Sequence, residues 1–151
     1  MANIIVWDSN IFAKLLFEEH DSEEARAFTR ACFERDDTKI IVPELFTYEL
    51  ASISQYYGDD ITRTITALEA PFASSLVSVA PNKEAWILAE KIARTGHEKS
   101  GYPSIYDSIY QALAIQSGGV FVTADKKHFA KSKEFQHICL LEDWQTIFAD
   151  T

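Results

Sequence analysis

Four acids, Asp8, Glu49, Asp107 and Asp125, lie far apart along the chain and are the residues around which its chemistry can be read. Carboxylates gathered in one pocket repel one another, and all four stay ionised only around a divalent cation. Hard oxygen donors without His or Cys partners suit Mg²⁺ or Mn²⁺, which keep several of their waters. A cation held in this way eases deprotonation of a water and stabilises charge on phosphoryl oxygens. The chemistry implied is hydrolysis of a phosphodiester. Thr123, Ser9 and Asn10 stand beside these acids and can orient a carboxylate or hold a water. For Ser9 and Asn10, local turn and cap bonding is the plainer role.

The elements that must position these acids alternate along the chain. Residues 3–7 form a β-branched apolar run bounded by Asp8, a first strand. Ser9 to Glu18 carries apolar residues at helical spacing. Asp21-Ser22-Glu23-Glu24 reads as a capping box, opening a helix to about Glu34. Lys39–Val42 is a second strand, and Pro43 suits the first position of a helix reaching Tyr57, where Gly58 stops it. Another helix spans Asp59–Ala70, before Pro71. Leu76–Val79 is a third strand. Pro81-Asn82 opens a helix with Trp86, Ala89 and Ala93 on one side, and Trp86, Phe12 and Phe46 are expected in the core. After a loop at Gly96–Pro103, a helix over Ser104–Gln116 closes at Gly118-Gly119. Val120–Thr123 is a strand, Lys126–Lys131 a short helix, Ile138–Leu141 a last strand, and a short helix ends the chain. Residues 1–151 therefore read as one α/β domain with a mainly parallel sheet and helices on both faces.

In a right-handed parallel unit, a helix after a strand begins at the strand's carboxyl edge, and a helix before a strand also begins there. Asp8 ends the first strand, and Glu49 lies in the second turn after the second. Asp107 opens the helix before the Val120 strand, and Asp125 follows that strand. All four face the edge where open α/β sheets place their sites. Each acid also has a local explanation. Asp8 and Asp125 can cap the helices that follow them, and Asp107 can reciprocate in a Ser104-x-x-Asp107 box. Glu49 borders the apolar stripe of Phe46, Leu50, Ile53 and Tyr57, where a charge needs a partner. Asp107 points away from the apolar stripe of its own helix. The coincidence of all four at one edge favours a site over four separate caps.

The composition narrows the class. The 151 residues suffice for one domain, and 47% hydrophobic residues suffice for its core. No run of about 18 apolar residues suggests a membrane span. The N-terminus has no basic stretch before its apolar run and does not read as a signal peptide. Cys32 and Cys139 each sit in an apolar run and read as buried free thiols in a reducing cytoplasm. The formal net charge is -9, which counts against gripping nucleic acid by bulk electrostatics and suits a basic partner protein. Lys126, Lys127, Lys131 and Lys133 form the dense basic cluster. Lys126 and Lys127 are candidates for substrate binding, or else a solvated helix face. His20, His97, His128 and His137 have no zinc-ligand spacing. His97 and His128 could approach a substrate, though surface positions explain them as well. Tyr56 and Tyr57 could stack on bases or simply pack.

Four segments, in this order and spacing, resemble the PIN domain family. They are Ile4-Ile5-Val6-Trp7-Asp8-Ser9-Asn10, Val42-Pro43-Glu44-Leu45-Phe46-Thr47-Tyr48-Glu49-Leu50, Tyr106-Asp107-Ser108-Ile109-Tyr110-Gln111-Ala112-Leu113-Ala114 and Val120-Phe121-Val122-Thr123-Ala124-Asp125. The resemblance implies a three-layer α/β/α fold and Mg²⁺- or Mn²⁺-dependent cleavage of RNA. It matches Asp8, Glu49, Asp107 and Asp125 to the family's metal-site acids, and Thr123 to its hydroxyl residue. Ser108 departs from the family's usual Ala after the third acid. PIN domains of this length resemble VapC-like toxin ribonucleases, which implies an antitoxin partner and a homodimer. Two rivals remain at this point. One is a PIN-like module that only binds a partner. The other is an Asp-nucleophile phosphatase, in which a second acid is expected two residues after Asp8, where Asn10 stands.

Overall fold

The computed structural model describes residues 3–70, 75–96, 98–99 and 101–149; His97 lies outside them. Five strands form one sheet in the order β3-β2-β1-β4-β5, and every pairing is parallel. The strands are β1 (Asn3–Trp7), β2 (Thr38–Pro43), β3 (Leu76–Val79), β4 (Val120–Thr123) and β5 (Ile138–Leu140). The helices are α1 (Ser9–Leu16), α2 (Ser22–Phe33), α3 (Leu45–Tyr56), α4 (Ile61–Leu68), α5 (Lys83–Ala93), α6 (Ile105–Ser117) and α7 (Lys126–Ser132). The expected C-terminal helix is 3-10 in form, spanning Leu141–Phe148 with a kink at Asp143.

The central strands are covered on both faces, which is why they read as unbroken apolar runs. Ile5, Val6 and Trp7 of β1 are fully buried. Trp7 meets Phe28 and Phe33 of α2, and Phe28 meets Trp144 of the C-terminal segment. On the opposite face Phe121 of β4 stacks on Tyr110 of α6. Helix α5 lies against α6 through Ala85, Ala89 and Ile92, all fully buried. Three layers result: helices, sheet, helices.

Most boundaries have a local cause. Asp8, Asp60, Asn82, Ser104 and Asp125 each accept a backbone N–H in the first turn of the helix they precede, satisfying donors that the helix cannot pair. Gly118 ends α6 at φ 73°, the left-handed conformation that glycine adopts without strain. Gly119 passes so close to β1 that an added Cβ would sit 2.4 Å from the Ile4 carbonyl oxygen.

Three expectations are corrected. Pro43 does not open α3; it ends β2, in register with Val79, and Glu44 precedes the helix. Edge-to-edge pairing extends the strand by one residue beyond its β-branched run. The capping box at Asp21 does not form. Asp21 makes no cap bond and pairs with Lys14 at 2.8 Å, while Glu24 accepts the Trp144 indole N–H at 2.7 Å. Tertiary partners took both side chains. Trp86 is 48% exposed, because α5 turns Ala85 and Ala89 toward α6 instead. Phe12 and Phe46 are buried as expected, packed edge to face. Cys32 and Cys139 are buried and unbridged. Among the described residues, no helix is long and apolar enough to cross a membrane.

Candidate active site

The sheet order places a switch point between β1 and β4. From β1 the chain crosses to β2 and β3 on one side, and β4 and β5 lie on the other. The carboxyl ends of two such strands diverge and leave a crevice. Asp8 ends β1 and Asp125 follows β4, so the two acids flank that crevice.

Asp8 is 4% exposed. Its Oδ2 accepts the Thr123 hydroxyl at 2.7 Å, and its Oδ1 accepts the Asn10 backbone N–H at 3.3 Å. Burial pushes its pKa up to about 6, opposed by the Thr123 hydrogen bond and assisted by the charge of Glu49. Thr123, fully buried, accepts the Asp125 backbone N–H at 3.0 Å while donating to Asp8. One hydroxyl therefore ties the two flanking acids together. Asn10 adds a second tie, its amide donating to Thr123 Oγ1 at 3.5 Å and accepting the Ala124 N–H at 3.4 Å. Asp125 Oδ1 accepts the Lys127 and His128 N–H groups at 3.0 Å each.

Glu49, on α3, reaches the same edge half-buried. Its Oε1 accepts the Tyr110 hydroxyl at 2.6 Å and lies 3.4 Å from Ser9 Oγ. The same Ser9 oxygen is 3.3 Å from Asp8 Oδ1. Burial raises the Glu49 pKa, and the two hydroxyls oppose the rise. Asp107, in the first turn of α6, behaves differently. The Ser104 hydroxyl accepts the Tyr106 and Asp107 N–H groups, but the Asp107 carboxylate does not reciprocate. Among the described residues no donor holds it. Its pKa is pushed up to about 7 by burial and then by the charges of Asp8, Asp125 and Glu49, in that order. All four acids thus share one electrostatic field.

Local capping accounts for part of Asp8 and Asp125, since both do cap a helix. It does not account for Asp107 or Glu49. Ser108, the departure in the third segment, is fully buried and donates to the Ser104 carbonyl at 2.6 Å.

Among the described residues no three His, Cys, Asp or Glu side chains stand as a ready ligand set. Asp8, Glu49 and Asp125 accept from hydroxyls and helix N–H groups, and Asp107 does not. The donor chemistry nonetheless fits a hard divalent cation: every group at the crevice offers oxygen. His128 does not join them, and the surface position expected for it is corrected: it is 3% exposed, packed edge-on against Phe121. Its Nε2 faces Gln111 Oε1 at 3.1 Å, and burial holds its pKa down to about 4.

Other candidates fall elsewhere. Lys126 and Lys127 are exposed, and Lys126 pairs with Glu142 at 3.3 Å. Both line a cleft of ≈ 840 Å³ that shares only Asp125 with the four acids and is otherwise of mixed charge, with Lys14, Asp21, Glu23 and Glu24. Tyr57 stacks on Phe17 at 4.4 Å, with Tyr56 edge-on to it, so these rings pack against each other. Sequence reasoning missed Tyr110 and Gln111. The available signal was a phenol and an amide inside a helix buried from Ser108 to Ala114, where polar groups require partners.

The PIN domain model matches residues 5–134 of the chain. No curated protein sequence matches it at a comparable level. Among solved structures it is similar to VapBC-1 from nontypeable Haemophilus influenzae, with 16% identity, TM-score 0.67, and coverage of 94% of this chain and 98% of that one. It is similar to FitAcB from Neisseria gonorrhoeae, with 14% identity, TM-score 0.63, and coverage of 90% and 95%. It is also similar to VapC20 from Mycobacterium tuberculosis, described as a sarcin-ricin loop cleaving toxin, with 14% identity, TM-score 0.62, and coverage of 83% and 93%.

Proposed function

The chain belongs to the PIN domain family, and from that premise we propose that it is a metal-dependent endoribonuclease that hydrolyses RNA phosphodiester bonds. The observation that carries the reading is the gathering of Asp8, Glu49 and Asp125 around Asp107, whose carboxyl is pushed up first by burial and then by the charges of those three acids. A pocket that opposes its own ionisation so strongly is built to share a cation. Asp8, Glu49, Asp107 and Asp125 would hold Mg²⁺ or Mn²⁺, directly or through water. Bound there, such an ion supplies a more acidic water and neutralises charge on the scissile phosphate.

The chain's own groups do the positioning. Thr123 and Asn10 hold the Asp8 and Asp125 ends of two strands at fixed separation. Ser9 bridges Asp8 toward Glu49. Asp107 brings a carboxylate that no donor holds among the described residues and that would be available to the cation. The decisive experiment is Asp8→Asn on a mixed RNA pool with Mg²⁺ or Mn²⁺ and an EDTA control. Cleavage should vanish while circular dichroism stays native. Undiminished cleavage by that variant removes Asp8 from the mechanism and the proposal with it.

The proposal extends to partners. The similar structures include a toxin–antitoxin complex from Klebsiella pneumoniae, and this chain's net charge of -9 suits a basic partner. The chain is accordingly read as the toxin of such a module, a homodimer in a reducing cytoplasm. The coding region should be flanked by a short reading frame for a basic protein, and co-expression with it should yield a complex that suppresses cleavage; no such frame, or no complex and no suppression, refutes this part alone.

A further inference from the structure

Helix α6 carries more of the site than Asp107. Three residues on, along the same side of the helix, Tyr110 is fully buried, its ring stacked on Phe121 with centroids 5.3 Å apart. A buried phenol needs an acceptor, and this one reaches across to α3, donating to Glu49 Oε1 at 2.6 Å. Helix α3 otherwise packs on α1, α4 and β2, while α6 packs on α5 and the central strands. The bond therefore joins two helices that share β2 but otherwise rest on different neighbours. Glu49 is a long, half-buried side chain whose free rotamers are costly to fix. With Tyr110 on Oε1, the second oxygen, Oε2, accepts no hydrogen bond among the described residues.

We propose that Tyr110 is a positioning residue for Glu49, holding that carboxylate in the orientation in which it takes part in the cation site. The inference rests on the nuclease reading above. The Phe121 stack fixes the ring, and the ring fixes the hydroxyl. Ser9 Oγ, 3.4 Å from the same Oε1 and 3.3 Å from Asp8 Oδ1, has one proton to give and cannot restrain both acids. The phenol is dedicated to one.

Tyr110→Phe removes a single oxygen and keeps the stacked ring, so the fold is retained. The test is Mn²⁺ binding, followed by electron paramagnetic resonance of the free ion, on wild type, Tyr110→Phe, Glu49→Gln and the double variant. Tyr110→Phe should weaken Mn²⁺ binding about tenfold, the lower end of the effect of losing a partner to a metal-binding carboxylate. In the Glu49→Gln background the same change should add less than about twofold, because the residue it positions is already disabled. In RNA cleavage, saturating Mn²⁺ should restore the rate of Tyr110→Phe with KM for RNA unchanged. A lowered melting temperature with unaltered Mn²⁺ affinity means the phenol only packs, and overturns the inference alone. A wild-type chain that binds no Mn²⁺ overturns the nuclease reading and this inference together.

Discussion

Asp107→Asn, made in chelated protein, should stabilise the fold at alkaline pH and do nothing at acid pH. The Asp107 carboxyl is raised from 3.8 to about 7 by burial and by its three acidic neighbours. A raised carboxyl contributes stability that is present below its unfolded value and lost as pH rises through the folded one. The window is therefore about pH 4 to 8. At about 1.4 kcal/mol per pKa unit the full loss would approach about 4 kcal/mol. Asp107 is partly exposed, and solvent screening reduces this to about 2 kcal/mol. Asp8, raised from 3.8 to about 6 and almost fully buried, adds about 3 kcal/mol of the same sign. The two titrate as a coupled pair, so removing one eases the other. His128 works the opposite way. Lowered from 6.5 to about 4, it costs stability as pH falls through that range. That masks the acids in the wild-type profile but cancels in the difference between variant and wild type. Thermal unfolding in EDTA should place Asp107→Asn about 4–8 °C above wild type at pH 8 and level with it at pH 4. Added Mn²⁺ at pH 8 should then raise the wild type and leave the variant nearly unmoved. A variant less stable than wild type at pH 8, or a gap that ignores pH, would refute the claim that the four acids oppose one another.

Three further outcomes follow from packing. Gln111→Leu strips a buried amide that donates at 3.0 Å to both the Ser132 and Gln136 carbonyls and faces His128. It should cost about 2–4 kcal/mol in urea denaturation, with amide exchange rising first around Gln136 and His137, which hold positive φ. Gly119→Ala drives a methyl to within 2.4 Å of the Ile4 carbonyl oxygen. The backbone at Ile4 must shift, and the fold should lose about 3 kcal/mol, the upper part of the range for overpacking, read as a shifted denaturation midpoint. Cys32, 2% exposed with its thiol pushed up to about 12 by burial, should resist a disulfide reagent at pH 8 until the chain is unfolded.

The parallel sheet was legible because buried strands leave unbroken β-branched runs, and Ile4–Trp7 and Val120–Thr123 are such runs. The caps at Asp8, Asn82, Ser104 and Asp125 were legible because capping is local. So was the arrival of four acids at one edge, since it follows from strand and helix direction alone. What stayed hidden depends on partners distant in sequence. Pro43 looked like a helix opener until β3 paired beside it. Asp21 looked like a cap until Lys14 arrived from the preceding helix. Trp86 was misplaced because periodicity cannot tell which small residues another helix will seat against. Tyr110 and Glu49 are 61 positions apart, and their hydrogen bond leaves no local trace.

The strand at the heart of the sheet is synthesised long before one of its neighbours: Ile5 pairs with Val120 and Trp7 with Val122. Contacts so remote in sequence make assembly slow. They also mean that an emerging chain cannot bring Asp8 to Asp125 before β4 is available to pair with β1. The crevice with its four acids therefore assembles late, only once β4 and the segment up to Asp125 have joined β1.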